Sequence, residues 1–385
     1  MLPFEDVNVV DFSQRLPGPY CSSILADLGA KVIMVERAGA PPETRSVFPG
    51  LFELVNRNKK SLTLNMKTGE GKEIAEKLIS VSDVLIEEFR PGVAERLGIG
   101  YLQVRGLNPL IIYCSISGFG QDGPYRDRVG HDINYLSLSG ILSISGQPDV
   151  PPSRPGIPLV DLASGMFGAI AIMAALRRRE SKGVGEFIDV SMYDSMISWM
   201  SVRAGRLLVY GEKPQNEHLS ALNNVYETKD RKKISLGILE KHFWENFCKA
   251  AEREDLLEDP RFLSSSDRKK RMAELVQVMK EVISGRTLEE WSRILDWRKV
   301  PYAPVYSVEE ALCDPHLEAR RILEEVDAEF LGKKITEVAF PVKFTGFKAE
   351  IRRPPPEWGQ HTEEVLESLG YSKQEINSLK KKSVI

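Results

Sequence analysis

The feature that most constrains this chain is the alternation, over its first half, of short apolar runs with amphipathic stretches. Val7 to Phe12 is an apolar run of strand length, and Lys31 to Glu36 (KVIMVE) is a second. Between them lie Pro17-Gly18-Pro19 and a helical stretch from Tyr20 to Leu28, stopped by Gly29; a glycine just past a helix ends it at no steric cost. The pattern repeats with a strand at Ser61 to Met66, a helix at Glu70 to Ile79 that Thr68 can cap, and strands at Asp83 to Ile86 and Leu110 to Cys114. Strands that read as continuous apolar runs are buried on both faces. Alternated with helices, they predict a parallel sheet covered on both sides, a Rossmann-like α/β architecture.

A long apolar helix rich in small residues follows from Asp161 to Arg179, then a Gly183/Gly185 turn and a strand at Glu186 to Ser191. The apolar run Met166 to Leu176 inside that helix is too short to span a bilayer. Near Asn223 the character changes. Val225 to Ile238 predicts a hairpin around Lys229-Asp230-Arg231, followed by helices at Lys241 to Ala251 and Leu288 to Leu295. The expected organisation is a large Rossmann-like domain over residues 1–200, a linker over 201–224, a smaller α+β domain over 225–320, and a linker with a return to the large domain over 321–385. The return carries strand signals at Ile335 to Phe347 and a helix at Thr362 to Leu369.

Two nucleotide signatures are absent: neither GxGxxG nor GxxxxGK[ST] follows the first strand. A net charge of −3 gives no basic excess for general nucleic-acid binding. The four cysteines are scattered, without CxxC pairs, and no histidine, cysteine or carboxylate cluster has metal-ligand spacing. The N-terminus lacks a basic segment followed by an apolar one, so a cytoplasmic location is expected.

Three residues could carry chemistry. Asp161 ends the run Ile157 to Val160 and opens the small-residue helix; the competing reading is a helix cap. His131, in Gly130-His131-Asp132-Ile133-Asn134-Tyr135, begins a helical stretch where the dipole favours a neutral imidazole. Glu240 precedes Lys241-His242-Phe243-Trp244, with a commonplace role in a helix's first turn as the alternative. Arg37 and Arg90 fall at strand C-terminal ends, where open α/β sheets bind ligands, and guanidinium groups there suit phosphates. Lys59 and Lys60 read as solvated charges.

Several segments in order resemble the class III CoA-transferase family of CaiB/BaiF type, nearest its α-methylacyl-CoA racemase branch. They are VVDFSQRLPGPYCSSILADLGAKVIMVER (9–37), NRNKKSLTLNMKTGEGKE (56–73), DVLIEEFRPGVAERLGIGY (83–101), SISGFGQDGPY (115–125), GHDINYLSLSG (130–140) and GQHTEEVLESLGY (359–371). The resemblance implies an acyl-CoA substrate, coenzyme A entering as part of the substrate with no tightly bound cofactor, and an obligate homodimer of interlocked rings. It implies CoA contacts at Arg37, Leu64, Asn65, Met66, Lys67, Glu88, Phe89, Arg90, Arg96, Gly130, Asp132 and Tyr135. Glu88 replaces a neutral residue of some relatives, so its contact would be through backbone. The acyl site would be walled from the small domain, with Met192, Tyr193, Trp199 and Met200 as candidates against ordinary core packing.

Two activities follow from the resemblance. The leading expectation is α-methylacyl-CoA racemisation, with His131 and Asp161 as the two bases and Glu240 supporting the histidine. His131 stands where formyl-CoA transferases have tyrosine, and Leu16 where they have glutamine. The alternative is transfer of CoA from an acyl-CoA to a free carboxylic acid, with Asp161 as nucleophile and an aspartyl-CoA intermediate.

Overall fold

The computed structural model describes residues 1–146, 153–213, 220–328 and 332–385. The chain divides into two compact units. One gathers Met1–Gly146, Val150–Tyr210 and Glu318–Ile385, and the other centres on Gly211–Leu317.

The first unit is built on strands β1 (Asn8–Asp11), β2 (Lys31–Arg37), β3 (Lys59–Leu64), β4 (Val84–Glu87), β5 (Ile112–Ser117) and β6 (Glu186–Ser191). They form one six-stranded sheet in the order β3-β2-β1-β4-β5-β6, and every neighbouring pair is parallel. This is the doubly wound order, reversing direction between β1 and β4. Successive side chains feed opposite cores, as a pleated strand requires. Val9, Val84, Ile86, Ile112 and Cys114 face one core with Cys21, Leu25, Ala163 and Ile172. Val10, Leu85 and Tyr113 face the other with Ile74, Leu78, Val365 and Ile376.

Six helices of this unit enter the argument: α1 (Pro17–Asp27), α2 (Gly69–Ser80), α3 (Asp132–Leu138), α4 (Leu159–Lys182), α5 (Met192–Tyr210) and α8 (Thr362–Ser368). Helix α1 begins three residues earlier than the sequence suggests, because Pro17 takes its first position, where the missing N–H costs nothing. Thr68 caps α2 by accepting from the Gly71 N–H at 3.0 Å, as read from the sequence. The apolar run at 166–176 belongs to α4, which at 24 residues is apolar and long enough by composition to cross a bilayer. Half of its most apolar window is buried in the protein.

The small residues of α4 have a definite use. A Cβ on Gly165 would lie 2.5 Å from the Pro17 carbonyl oxygen, and one on Gly168 would lie 3.1 Å from Cys21 Sγ. The two helices therefore touch backbone to backbone, running in the same direction. Residues 201–210, expected in a linker, are the last turns of α5. The rest of that expected linker includes 214–219, which lie outside the described residues.

The chain's return pairs β10 (Leu323–Ala328) with β11 (Lys333–Val338) in an antiparallel ribbon. β10 escapes a reading based on apolar runs because LEEVDA carries three acids. The strand signal read to Phe347 ends at Val338. The return is tied down by charge: Arg57 lies 2.6 Å from Asp27 and 3.1 Å from Glu337, all three buried. The helix α8 adds Thr362, whose Oγ1 accepts from the Thr63 N–H at 3.1 Å.

The second unit holds β7 (Asn223–Glu227), β8 (Lys233–Gly237) and β9 (Tyr302–Pro304) in an antiparallel sheet, so the hairpin about 229–231 is present. Its core packs Trp244 and Phe247 of α6 (Lys241–Ala250) with Trp291 and Leu295 of α7 (Leu288–Arg298).

Gly165→Ala tests the helix contact. Alanine gains helix propensity, yet its Cβ must displace backbone of α1. We expect a net loss of about 1–3 kcal/mol in denaturant unfolding, and an unchanged or raised midpoint would show that α1 and α4 do not meet this closely.

Candidate active site at the carboxyl edge of the sheet

In an open parallel sheet the crevice forms where strand order reverses, past the strand C-termini. Here β1 and β4 flank that point, and the first turn after β1 leads into α1. In dinucleotide-binding sheets the helix N-terminus there holds a pyrophosphate. In this chain a carboxylate occupies the position. Glu88 accepts the Gln14 N–H at 2.7 Å, the Gly18 N–H at 3.1 Å and the Arg15 N–H through a short contact. Burial and the charge of Asp11 raise the Glu88 pKa, while those three N–H donors oppose the shift. The N–H groups of the turn after β1 and of Gly18 in α1 are thus spent on a side chain, which gives the missing glycine fingerprint a physical counterpart. The side chain of Glu88 is committed to holding this turn.

Beneath this turn lies a second polar cluster. Asp11 accepts from the Ser13 N–H at 2.9 Å and from the Ser13 and Ser22 hydroxyls. Lys59, read from the sequence as solvated, is fully buried. Its ammonium donates to the Pro19 carbonyl at 2.9 Å and Asn56 Oδ1 at 2.8 Å, with Asp11 at 3.8 Å. Burial pulls its pKa down to about 8 against the pull of Asp11. The misreading arose because a strand's first residue shows no periodicity that marks it as interior. Lys60 does reach the surface, where it pairs with Glu364 at 2.7 Å.

Asp161 sits in the first turn of α4, but it is not the cap. That role falls to Asp132, whose Oδ2 accepts the Val160 N–H at 2.8 Å. Asp161 is half-buried, and no hydrogen bond to its carboxylate is found among the described residues. Burial first, then the charges of Asp132 and Glu88, push its pKa up to about 7, with Arg15 pulling the other way. A carboxylate so placed is weakly solvated, unpaired and close to half-ionised at neutral pH.

Helix α3 supplies the neighbours. His131 takes its N-cap position with an exposed side chain, and its backbone N–H donates to Asn134 Oδ1 at 2.9 Å. Tyr135 is buried, and its hydroxyl donates to the Gly130 carbonyl at 3.1 Å. The charges of Asp161, Arg90 and Arg15 all act on that hydroxyl. One Asp132 oxygen, Oδ1, is buried without a partner.

The other residues read as CoA contacts follow the C-terminal ends of β2, β3 and β4, while the rest lie elsewhere. Arg37 closes β2 and is exposed. Leu64 closes β3, followed by Asn65, whose N–H donates to the Val384 carbonyl at 2.7 Å, then Met66 and the exposed Lys67. Phe89 packs on the second core, and Arg90 and Arg96 are exposed past β4. Glu240 is the exposed N-cap residue of α6 in the second unit. Met192, Tyr193, Trp199 and Met200, expected as small-domain walls, stand on α5 of the first unit. Met192 and Tyr193 pack in its core, while Trp199 is exposed. Arg15 was not singled out from the sequence. A lone arginine in a turn carries no periodic signal, and only the packing of α1 on α4 brings it to Asp161.

A model of CoA-transferase family III matches residues 4–362. The chain belongs to that family. It is 34% identical to an acyl-CoA transferase of Fusarium pseudograminearum, covering 98% of this chain and 87% of that one. It is 33% identical to mouse succinyl-CoA:glutarate CoA-transferase, covering 98% and 89%. The crystal structure of a CaiB/BaiF family protein from Brucella suis superposes with a TM-score of 0.86 at 27% identity, covering 96% of this chain and 99% of that one. These matches favour the alternative, CoA transfer, over the leading expectation of racemisation; the racemase branch finds no specific support in them.

The raised pKa of this family III enzyme's Asp161 has a stability consequence. Between the unfolded value near 4 and the folded value of about 7, the folded chain binds the extra proton, so this group's contribution falls as pH rises through that window. Asp161→Asn should therefore stabilise the protein at pH 8 by roughly 1–3 kcal/mol and make little difference at pH 4. Thermal unfolding at both pH values checks this; equal effects at the two would refute it.

Proposed function

We propose that the protein transfers CoA between an acyl-CoA thioester and a free carboxylate, with Asp161 as the covalent nucleophile. The observation that carries the reading is Asp161 itself: an unpaired, poorly solvated carboxylate at the sheet edge of a family III CoA-transferase fold. Poor solvation favours attack, because a carboxylate must shed water before it can add to a carbonyl.

The chemistry balances without protons. The Asp161 carboxylate adds to the thioester carbonyl and expels the CoA thiolate, leaving a mixed anhydride. The thiolate then attacks the aspartyl carbonyl, forming an aspartyl-CoA thioester and releasing the first acid. The acceptor carboxylate attacks that thioester, giving a second anhydride and the thiolate again. The thiolate finally attacks the acceptor's acyl carbon, and Asp161 leaves as the carboxylate.

The ligand would lie along the carboxyl edge. Arg37, Arg90 and Arg96 offer exposed guanidinium groups for its phosphates, and the backbone of Leu64 to Lys67, Glu88 to Arg90, and Gly130 and Asp132 offers polar contacts beside Tyr135. A homodimer is part of this proposal. Val202, Leu208, Val209 and Tyr210 at the end of α5 are each at least 70% exposed, the kind of apolar surface a second subunit covers.

Incubation with an acyl-CoA and hydroxylamine should convert Asp161 to its hydroxamate, seen by mass spectrometry of the peptide. kcat/KM should rise tenfold per pH unit below about 7 and level above it. The racemase alternative predicts something different: α-proton exchange of a 2-methylacyl-CoA in D₂O without any acceptor, lost in His131→Ala. Exchange of that kind with an unmodified Asp161 would overturn the transferase reading. Light scattering should give twice the mass of one chain; a monomer would remove the dimer.

A further inference from the structure

Arg15 lies in the turn between β1 and α1, and its position is fixed from two sides. Its backbone N–H is held by the Glu88 carboxylate, as are those of Gln14 and Gly18. The register of α1 on α4 then decides what it faces. Gly165 meets Pro17 and Gly168 meets Cys21, so the helices run in the same direction. Asp161, one turn before Gly165, therefore meets the residues just before Pro17, which are Arg15 and Leu16.

The guanidinium has no other occupation. It is exposed, and among the described residues it makes no ion pair or hydrogen bond. Its charge nonetheless acts on both the Asp161 carboxylate and the Tyr135 hydroxyl, which places it in the field of the reacting group. Glu88, which holds this turn from the end of β4, is already satisfied by three N–H donors.

We propose that Arg15 is a specificity-determining residue that binds the distal carboxylate of a dicarboxylic acyl group or acceptor, selecting diacids over monoacids of equal length. The inference rests on the transferase reading above. A diacid brings a second negative charge to a site that already holds Asp161, Asp132 and Glu88, and without a cation that charge is repelled. An arginine fork is the side chain best matched to a carboxylate. Its backbone anchor limits the entropy lost on binding. The mouse relative supports the substrate class, since its name pairs succinyl-CoA with glutarate, both of them diacid-derived.

The test uses the full-length enzyme and substrate pairs that differ only by carboxylate for methyl. Succinyl-CoA is compared with butyryl-CoA as donor, and glutarate with valerate as acceptor. The wild type should favour the diacid member by roughly 100-fold in kcat/KM, the range of a charged hydrogen-bonded pair. Arg15→Gln should bring the two within about tenfold, mainly by raising KM for the diacid, and Arg15→Lys should restore part of the preference. A wild type active on both members without preference overturns the proposal. So does a preference that survives in Arg15→Gln, or an equal loss for both members, which would assign Arg15 only to the charge of Asp161 or to folding. A wild type that transfers CoA to no acceptor sinks the transferase reading itself.

Discussion

The backbone contact between α1 and α4 is the constraint on which the site depends. Two glycines on α4 let it close on α1, Gly165 against the Pro17 carbonyl and Gly168 against Cys21 Sγ, so Asp161 is delivered to the turn that follows β1. A wider separation would leave that carboxylate in solvent. Its ordinary pKa would return, and its charge would no longer be felt beside Arg15 and Tyr135. The proton affinity of Asp161 is therefore set by packing a full turn away from it.

A second constraint is the distribution of acids around the sheet edge. Glu88 is bonded by the N–H groups of Gln14, Arg15 and Gly18, Asp132 spends one oxygen on the N-terminus of α4, and Asp11 is held by serines and the buried Lys59. Each of these carboxylates stabilises backbone or a buried cation. Among the described residues Asp161 has no such partner, and Asp132 and Glu88 raise its proton affinity. Its raised proton affinity costs folded-state stability once the group ionises.

Rossmann-like sheets usually leave the helix N-terminus after β1 open for phosphate. Filling it with Glu88 keeps the architecture and removes those N–H groups from any phosphate. The fold thus carries family III chemistry on a doubly wound frame, with site chemistry grafted onto strand ends.

Much of this was legible in the sequence. Strands β1, β2, β4 and β5 follow from apolar runs of strand length, and β3 from the apolar and polar alternation of Ser61 to Met66. Thr68, the 229–231 hairpin and the start of α6 follow from local turn and cap chemistry. The segments 9–37, 83–101 and 130–140 point to the family, and Asp161 stands out as a carboxylate among small residues. The identity of the α4 cap, the burial of Lys59, the commitment of Glu88 and the place of Arg15 were not legible. Each depends on contacts between residues 28 to 146 positions apart, and local periodicity carries no information about which distant side chain meets a given backbone group. Sequence alone determined which elements form and which face they bury; only the tertiary structure decided which charges are spent on holding the fold and which remain free to act, since that follows from the desolvation and pairing of groups brought together from afar.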